Sequence, residues 1–197
     1  MDKNELREKS LAVRESFDEE FVRSASLKVQ ENLFNYIRRL TDPEIKKIFT
    51  YYPHRNEIDV FSCFFGGEGM SEFDVYIPKC DSATEMSFCK VDEPNFLKIG
   101  KYGIPSPVEG AEKGVPGDDS IILIPSLVAS RSGYRVGYGA GFYDRWLKKG
   151  ASNLRPTKKI CILYDQFITQ HDFAEDWDES FGVILTESRF FFVSSNE

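Results

Sequence analysis

The sequence predicts an α/β fold, a three-layer α/β/α sandwich built on a mainly parallel sheet. Three observations carry this. Short apolar runs alternate with helical patterns through most of the chain. One of those runs, IILIP at 121–125, has no polar alternation, as expected of a strand covered on both faces. A glycine-rich stretch at 133–141 follows that run and feeds a further helical pattern.

The elements follow in order. Residues 4–15 and 18–39 read as helices. The second opens on Asp18, Glu19 and Glu20, acids suited to the positive end of the helix dipole. Phe21, Ala25, Leu27, Val29, Leu33, Phe34 and Ile37 then recur at roughly helical spacing. IKKIFTYYP at 45–53 reads as a first strand and NEIDVFSCFF at 56–65 as a helix, broken by GGEG at 66–69. FDVYIP at 73–78 and ATEMSFCKV at 83–91 read as strands. Residues 92–120, rich in Pro and Gly, form a long surface connection that could wall an active site. After IILIP and the glycine stretch, FYDRWLKKG at 142–150 reads as a helix. KICILYD at 159–165, GVILTE at 182–187 and RFFFV at 189–193 are the last strands. No repeat or linker interrupts the chain, so 1–197 is taken as one domain.

Composition narrows the function. The hydrophobic fraction of 41% supports a full core. A net charge of −7 argues against nucleic acid as the main partner, because its backbone needs a broad basic field. A few local cations would still suffice for a small phosphorylated ligand. The start MDKNELREKS lacks the apolar segment of a signal peptide, and no run is long enough to span a membrane. Cys63, Cys80, Cys89 and Cys161 form no CxxC, and only His54 and His171 accompany them, so no zinc site is expected. Free thiols and a cytoplasmic setting follow, with a monomer as the default for this size.

SGYRVGYGAGFYDRWL at 132–147 is the segment richest in chemistry. Gly137, Gly139 and Gly141 let the backbone turn tightly, and N–H groups at a turn and helix start can cradle phosphate. Arg135 could add a forked cationic contact, and Asp144 could hold a magnesium ion that bridges phosphates. The pattern is neither a Walker loop nor GxGxxG. A glycine turn that only packs on the sheet also explains it.

This segment, GYRVGYGAGFYDRWL, resembles the GxRLGYGGGYYDRYL of the 5-formyltetrahydrofolate cyclo-ligase family. Other elements match in order: Lys3–x–x–Leu6–Arg7, YYPHRNEID, the MSF at 86–88, KYGIPSP, YDQFI and GVILTE. The resemblance implies a cyclo-ligase-like fold and ATP- and Mg2+-dependent conversion of 5-formyltetrahydrofolate to 5,10-methenyltetrahydrofolate, with release of ADP and phosphate through a phosphorylated formyl group. It implies that Lys3, Arg7, Arg135, Gly137, Tyr138, Gly139, Ala140, Gly141, Phe142 and Tyr143 bind ATP. Arg135, Asp144 and Lys3 would carry catalysis, Asp144 and Asp178 would hold the metal, and Tyr52, Glu57, Met86 and Phe88 would contact the folate. The residues alone leave other readings open. Lys3 and Arg7 lie on a charged helix, Asp178 lies in the acidic run with Glu175, Asp176 and Glu179, and Met86 and Phe88 suit a core. Phe142 and Tyr143 suit a core too, and Glu57 suits a helix cap.

Four positions depart from the family pattern. Ser106 and Ser130 stand where the family has carboxylates, Ala140 where it has Gly or Lys, and Trp177 where His is common. Ala140 would be strained if the loop needed positive φ there. The lost carboxylates keep two alternatives in view: a non-catalytic folate- or nucleotide-binding protein, and a different ATP-dependent enzyme on the same scaffold.

Overall fold

The computed structural model describes residues 2–40, 45–66, 72–151 and 153–193, apart from the Phe96 side chain. Helices α1 (Lys3–Glu15) and α2 (Glu19–Arg39) start where the acids predict: Asp2 accepts the Glu5 N–H and Asp18 the Phe21 N–H. After β1 (Lys47–Phe49) come the short α3 (Cys63–Gly66), β2 (Asp74–Cys80) and β3 (Met86–Lys90). The Pro/Gly-rich connection carries three two-residue strands, β4 (Lys98–Ile99), β5 (Pro105–Ser106) and β6 (Lys113–Gly114). Next are β7 (Ser120–Pro125), β8 (Val128–Ser130), β9 (Arg135–Val136) and α4 (Phe142–Gly150). The chain continues through β10 (Lys159–Ile162), β11 (Ile168–Thr169), β12 (Val183–Leu185) and β13 (Phe190–Phe192).

Eight strands form the main sheet in the order β13-β12-β10-β7-β1-β2-β3-β6. The five from β12 to β2 are parallel, with Ile48 opposite Ile121 and Val75, while β13, β3 and β6 run antiparallel at the edges. Ser120 to Ile124 and Val183 to Leu185 are buried at every position. A strand without an exposed alternate face is covered on both sides, which is why IILIP carries no polar residue. From β1 the chain turns one way to β2, whereas β7, β10 and β12 step outward on the other side. The order therefore reverses between β1 and β7, and a crevice at the carboxyl ends of those two strands is where such sheets take ligands.

Aromatic rings fasten the helices to the sheet. Phe49 stacks on Tyr76 at 4.9 Å, and Phe88 meets Trp146 of α4 at 4.2 Å. Tyr36 of α2 packs edge-on against Phe190 and donates to the Thr157 carbonyl.

Two elements differ from expectation. The first strand is only three residues long, not 45–53. The helix expected over 56–65 is restricted to α3, because Arg55 and Asn56 adopt left-handed φ of 50° and 55° and make a turn. Asp59 then accepts the N–H groups of Phe61 and Ser62, which delays the helix start. The GGEG break lies mostly outside the described residues. A small sheet of β11-β8-β9, not foreseen, frames the glycine stretch.

Candidate active site

Glycine loop 137–141 leaves β9 beside the crevice and enters α4. Gly139 has φ +95°, and an added Cβ would lie 3.2 Å from the Arg7 guanidinium. The bare backbone is thus what lets α1 lie against the loop. Arg7 Nε donates to the Gly137 carbonyl at 2.8 Å, and its Nη1 donates to Asn4 Oδ1 at 2.5 Å. Gly141, φ +64°, is the residue at which the chain turns into α4. Ala140 is absent from the positive-φ residues, so its methyl group carries no backbone strain. Its carbonyl accepts from Arg145 Nη2 at 2.7 Å.

Beneath the loop, Arg135 Nη2 pairs with Asp144 Oδ1 at 3.0 Å, and Arg135 is buried. Its Nε and the Tyr143 hydroxyl are buried without partners. These are unspent polar groups at the point where the loop meets α4. At the start of α1, Lys3 Nζ contacts Glu175 Oε2 at 2.5 Å and Asp178 Oδ2. Burial alone would lower the Lys3 pKa, but its hydrogen bonds to Asp178 and Glu175 outweigh it and raise it.

Residues 52–57 follow the carboxyl end of β1. Tyr52 is half-buried with its ring 5.3 Å from Phe61. Glu57 is buried, its Oε2 accepting the His54 N–H at 3.0 Å. Burial pushes the Glu57 carboxyl up to about 7 against the opposing charge of Arg14 and hydrogen bonds from His54 and Tyr138. Met86 is half-buried at the start of β3. Phe88 is fully buried among Phe49, Tyr143 and Trp146, a core position as the residue pattern alone allowed. Phe142 is half-buried under the Arg145 guanidinium, 5.4 Å away. Asp144 and Asp178 accept from cations on different elements, Arg135 and Lys3.

Arg14 was missed in the sequence reading. It is 2% exposed, donates to the Tyr138 hydroxyl and faces Glu57 at 3.9 Å. Its signal was present: Lys3, Arg7 and Arg14 share one helical face at i, i+4 and i+11. The departures also find physical roles. The Ser130 hydroxyl lies 2.8 Å from that of Ser132 and accepts the Tyr134 N–H at 3.1 Å, closing the turn before β9. Replacing Ser130 with Ala is expected to cost about 1–2 kcal/mol of stability and to leave turnover unchanged; urea titration and the product assay read both. Ser106 lies directly over Gly100 in the β4–β5 hairpin.

Comparison with known proteins bears on the family and the fold. The model of the 5-formyltetrahydrofolate cyclo-ligase family matches residues 1–187. A 5-formyltetrahydrofolate cyclo-ligase of Mycoplasma pneumoniae is 27% identical over 188 residues, covering 95% of this chain and 99% of that protein. The solution structure of Aquifex aeolicus 5,10-methenyltetrahydrofolate synthetase superposes with a TM-score of 0.80 at 32% identity, covering 100% of this chain and 95% of its own. The corresponding synthetase structure from Mycoplasma pneumoniae gives 0.74 at 26% identity, with 95% and 99% covered. The chain is an enzyme of the 5-formyltetrahydrofolate cyclo-ligase family.

Proposed function

We propose that the enzyme drives its conversion of 5-formyltetrahydrofolate to 5,10-methenyltetrahydrofolate by moving the γ-phosphoryl group of ATP onto the formyl oxygen. The carrying observation is that Arg7, Arg135 and Asp144 gather at one glycine loop and the helix start it feeds, with Lys3 one turn before Arg7 on α1. Such a loop offers N–H donors to phosphate, and the cations neutralise charge as the phosphoryl group transfers.

The chemistry explains the need for ATP. The formyl group on N5 is an amide, and attack by N10 would have to expel water or hydroxide. Phosphorylation makes that oxygen a leaving group and makes the carbon electrophilic. N10 then bonds to this carbon and passes its proton to Glu57. Phosphate departs with the electrons of the carbon–oxygen bond, leaving the N5–CH–N10 cation. The protein's work is alignment: Lys3 and Arg7 hold the phosphates, and Arg135 supports the loop and Asp144. Tyr52, Glu57 and Met86 hold the folate with N10 close to the formyl carbon.

Asp144 suits magnesium. Its side chain is 22% exposed at the first turn of α4, and one carboxylate is enough for an ion that takes its other oxygens from phosphate and water. When bound, that ion would offset the charge developing between the phosphates. Asp178 would be a second ligand on release from Lys3. The setting proposed is the cytoplasm, in keeping with four free cysteines, and the active form a monomer. Among the described residues, no helix is long and apolar enough to cross a membrane.

The test mixes purified enzyme, Mg2+, ATP and 5-formyltetrahydrofolate and follows methenyltetrahydrofolate by its near-ultraviolet absorbance, with ADP in parallel. Equal formation of both is expected. Folded enzyme that binds both substrates and forms neither product would make it a binding protein.

A further inference from the structure

One buried side chain joins the two halves of the site. Arg14 leaves α1 two turns beyond Arg7, on the face it shares with Lys3 and Arg7, and projects into the crevice between β1 and β7. There it lines a small cavity of ≈10 Å³ with Tyr51, Glu57, Pro125, Ser126 and Tyr164, about the room of a single water. Its Nη2 donates to the Tyr138 hydroxyl of the glycine loop, and its guanidinium lies 5.4 Å from the Tyr138 ring centre. Nη1 faces Glu57 Oε1 at 3.9 Å, and Nε is buried without a partner. The Arg14 carbonyl is itself held, accepting from Asn56 Nδ2 at 3.2 Å, and Tyr164 fixes the same turn by donating to the Asn56 carbonyl.

A buried guanidinium is expensive to desolvate, and a hydrophobic side chain would pack this space at less cost. Packing therefore does not explain why a charge is here. Its neighbours do: one belongs to the loop proposed for ATP, the other to the wall proposed for folate. We propose that Arg14 is a positioning residue of the reaction, which locks the Tyr138 hydroxyl and the Glu57 carboxylate into one cluster, so that the nucleotide loop and the folate-facing carboxylate are held in register. This rests on the reading of the reaction given above.

The electrostatics of the cluster point the same way. Glu57 is faced by Arg14 from α1, by Tyr138 and Tyr143 from the loop and the start of α4, and by Tyr164 from beyond β10. His54 and Tyr51 face it from its own segment. Burial raises Glu57, and among these groups Arg14 supplies the positive charge that opposes it. Without Arg14 the carboxyl would hold its proton to higher pH, and a protonated Glu57 cannot take the N10 proton.

The test is kinetic and uses the intact chain. In Arg14→Gln, kcat is expected to fall about 10- to 100-fold, and the acid limb of its pH profile to move up by about one pH unit or more. The dissociation constant of a non-hydrolysable ATP analogue should stay within about twofold, because Lys3 and Arg7 remain. Arg14→Lys should bring the limb back toward its wild-type position while kcat stays low, since it restores charge but not the fork. Tyr138→Phe removes one hydroxyl from a 42% exposed side chain and keeps the test alive if Arg14→Gln does not fold; it should raise the limb in the same direction. A wild-type limb in folded Arg14→Gln, or in Tyr138→Phe if that is the variant that folds, overturns the proposal while leaving the reaction intact. No methenyl product from the wild type overturns both.

Discussion

Asp144→Asn is expected to lower kcat for methenyl formation about 100- to 1,000-fold, with ADP release falling in step. The substitution is nearly isosteric, and the amide oxygen still accepts from Arg135 Nη2, so the 3.0 Å contact that organises the loop can persist. What disappears is negative charge at the first turn of α4. A hydrated divalent ion needs that charge to stay beside the phosphates. The variant should melt within a few degrees of the wild type, which separates chemistry from folding. Raising Mg2+ should recover part of the lost rate, because a weakened ligand acts first on ion affinity. A variant with wild-type turnover would remove Asp144 from the proposed magnesium site.

Glu57→Gln should have an effect of similar size, about 100- to 10,000-fold on kcat, and a different pH dependence. In the wild type the acid limb of log kcat should fall near pH 7, where Glu57 titrates. The glutamine variant has no such group, so its residual rate should lose that limb. The same group tilts stability. Its carboxyl goes from 4.5 in an ordinary setting up to about 7 in the folded protein, so between these values the native state binds more protons than the unfolded chain. Its contribution is therefore most favourable below pH 4.5 and is lost as pH rises through 7. Urea midpoints taken from pH 5 to pH 8 should fall less steeply in Glu57→Gln than in the wild type. An unchanged slope would mean that Glu57 titrates in its ordinary range.

The sequence made some elements readable for clear reasons. The helices α1 and α2 were legible because their capping acids are local signals, α4 because a glycine stretch breaks the chain just before it, and β7 because an unbroken apolar run suits a doubly covered strand. Residues 54–62 were not. Their apolar positions, Ile58, Val60 and Phe61, are buried, but the turn that places them depends on Asn56 bridging to the Arg14 and Phe17 carbonyls 42 and 39 residues away. No local pattern records such a contact. Gly137, Gly139, Gly141, Arg135 and Asp144 were named from the residues themselves, the other site residues through family resemblance, and the geometry adds which of them share an element. Arg14 escaped because a charged helix reads as a solvated one, and its burial depends on Tyr138, 124 positions away.

The placement of α1 has a consequence for when the enzyme is competent. Its partners include β8, β9 and the acidic segment at 175–178, whose contacts with it close loops of more than 100 residues, and the turn at 55–57, 42 residues from Arg14 at Asn56. The parallel strands can pair before those tethers exist, and the helix can leave without unpairing them. Amide protons of Leu6 to Arg14 should then exchange through a local opening, faster than those of β7 and β10. Nucleotide should slow the helix and leave the strands unaffected. The exchange rate of this one helix would count the fraction of molecules ready to turn over, a quantity that a melting curve of the whole fold does not contain.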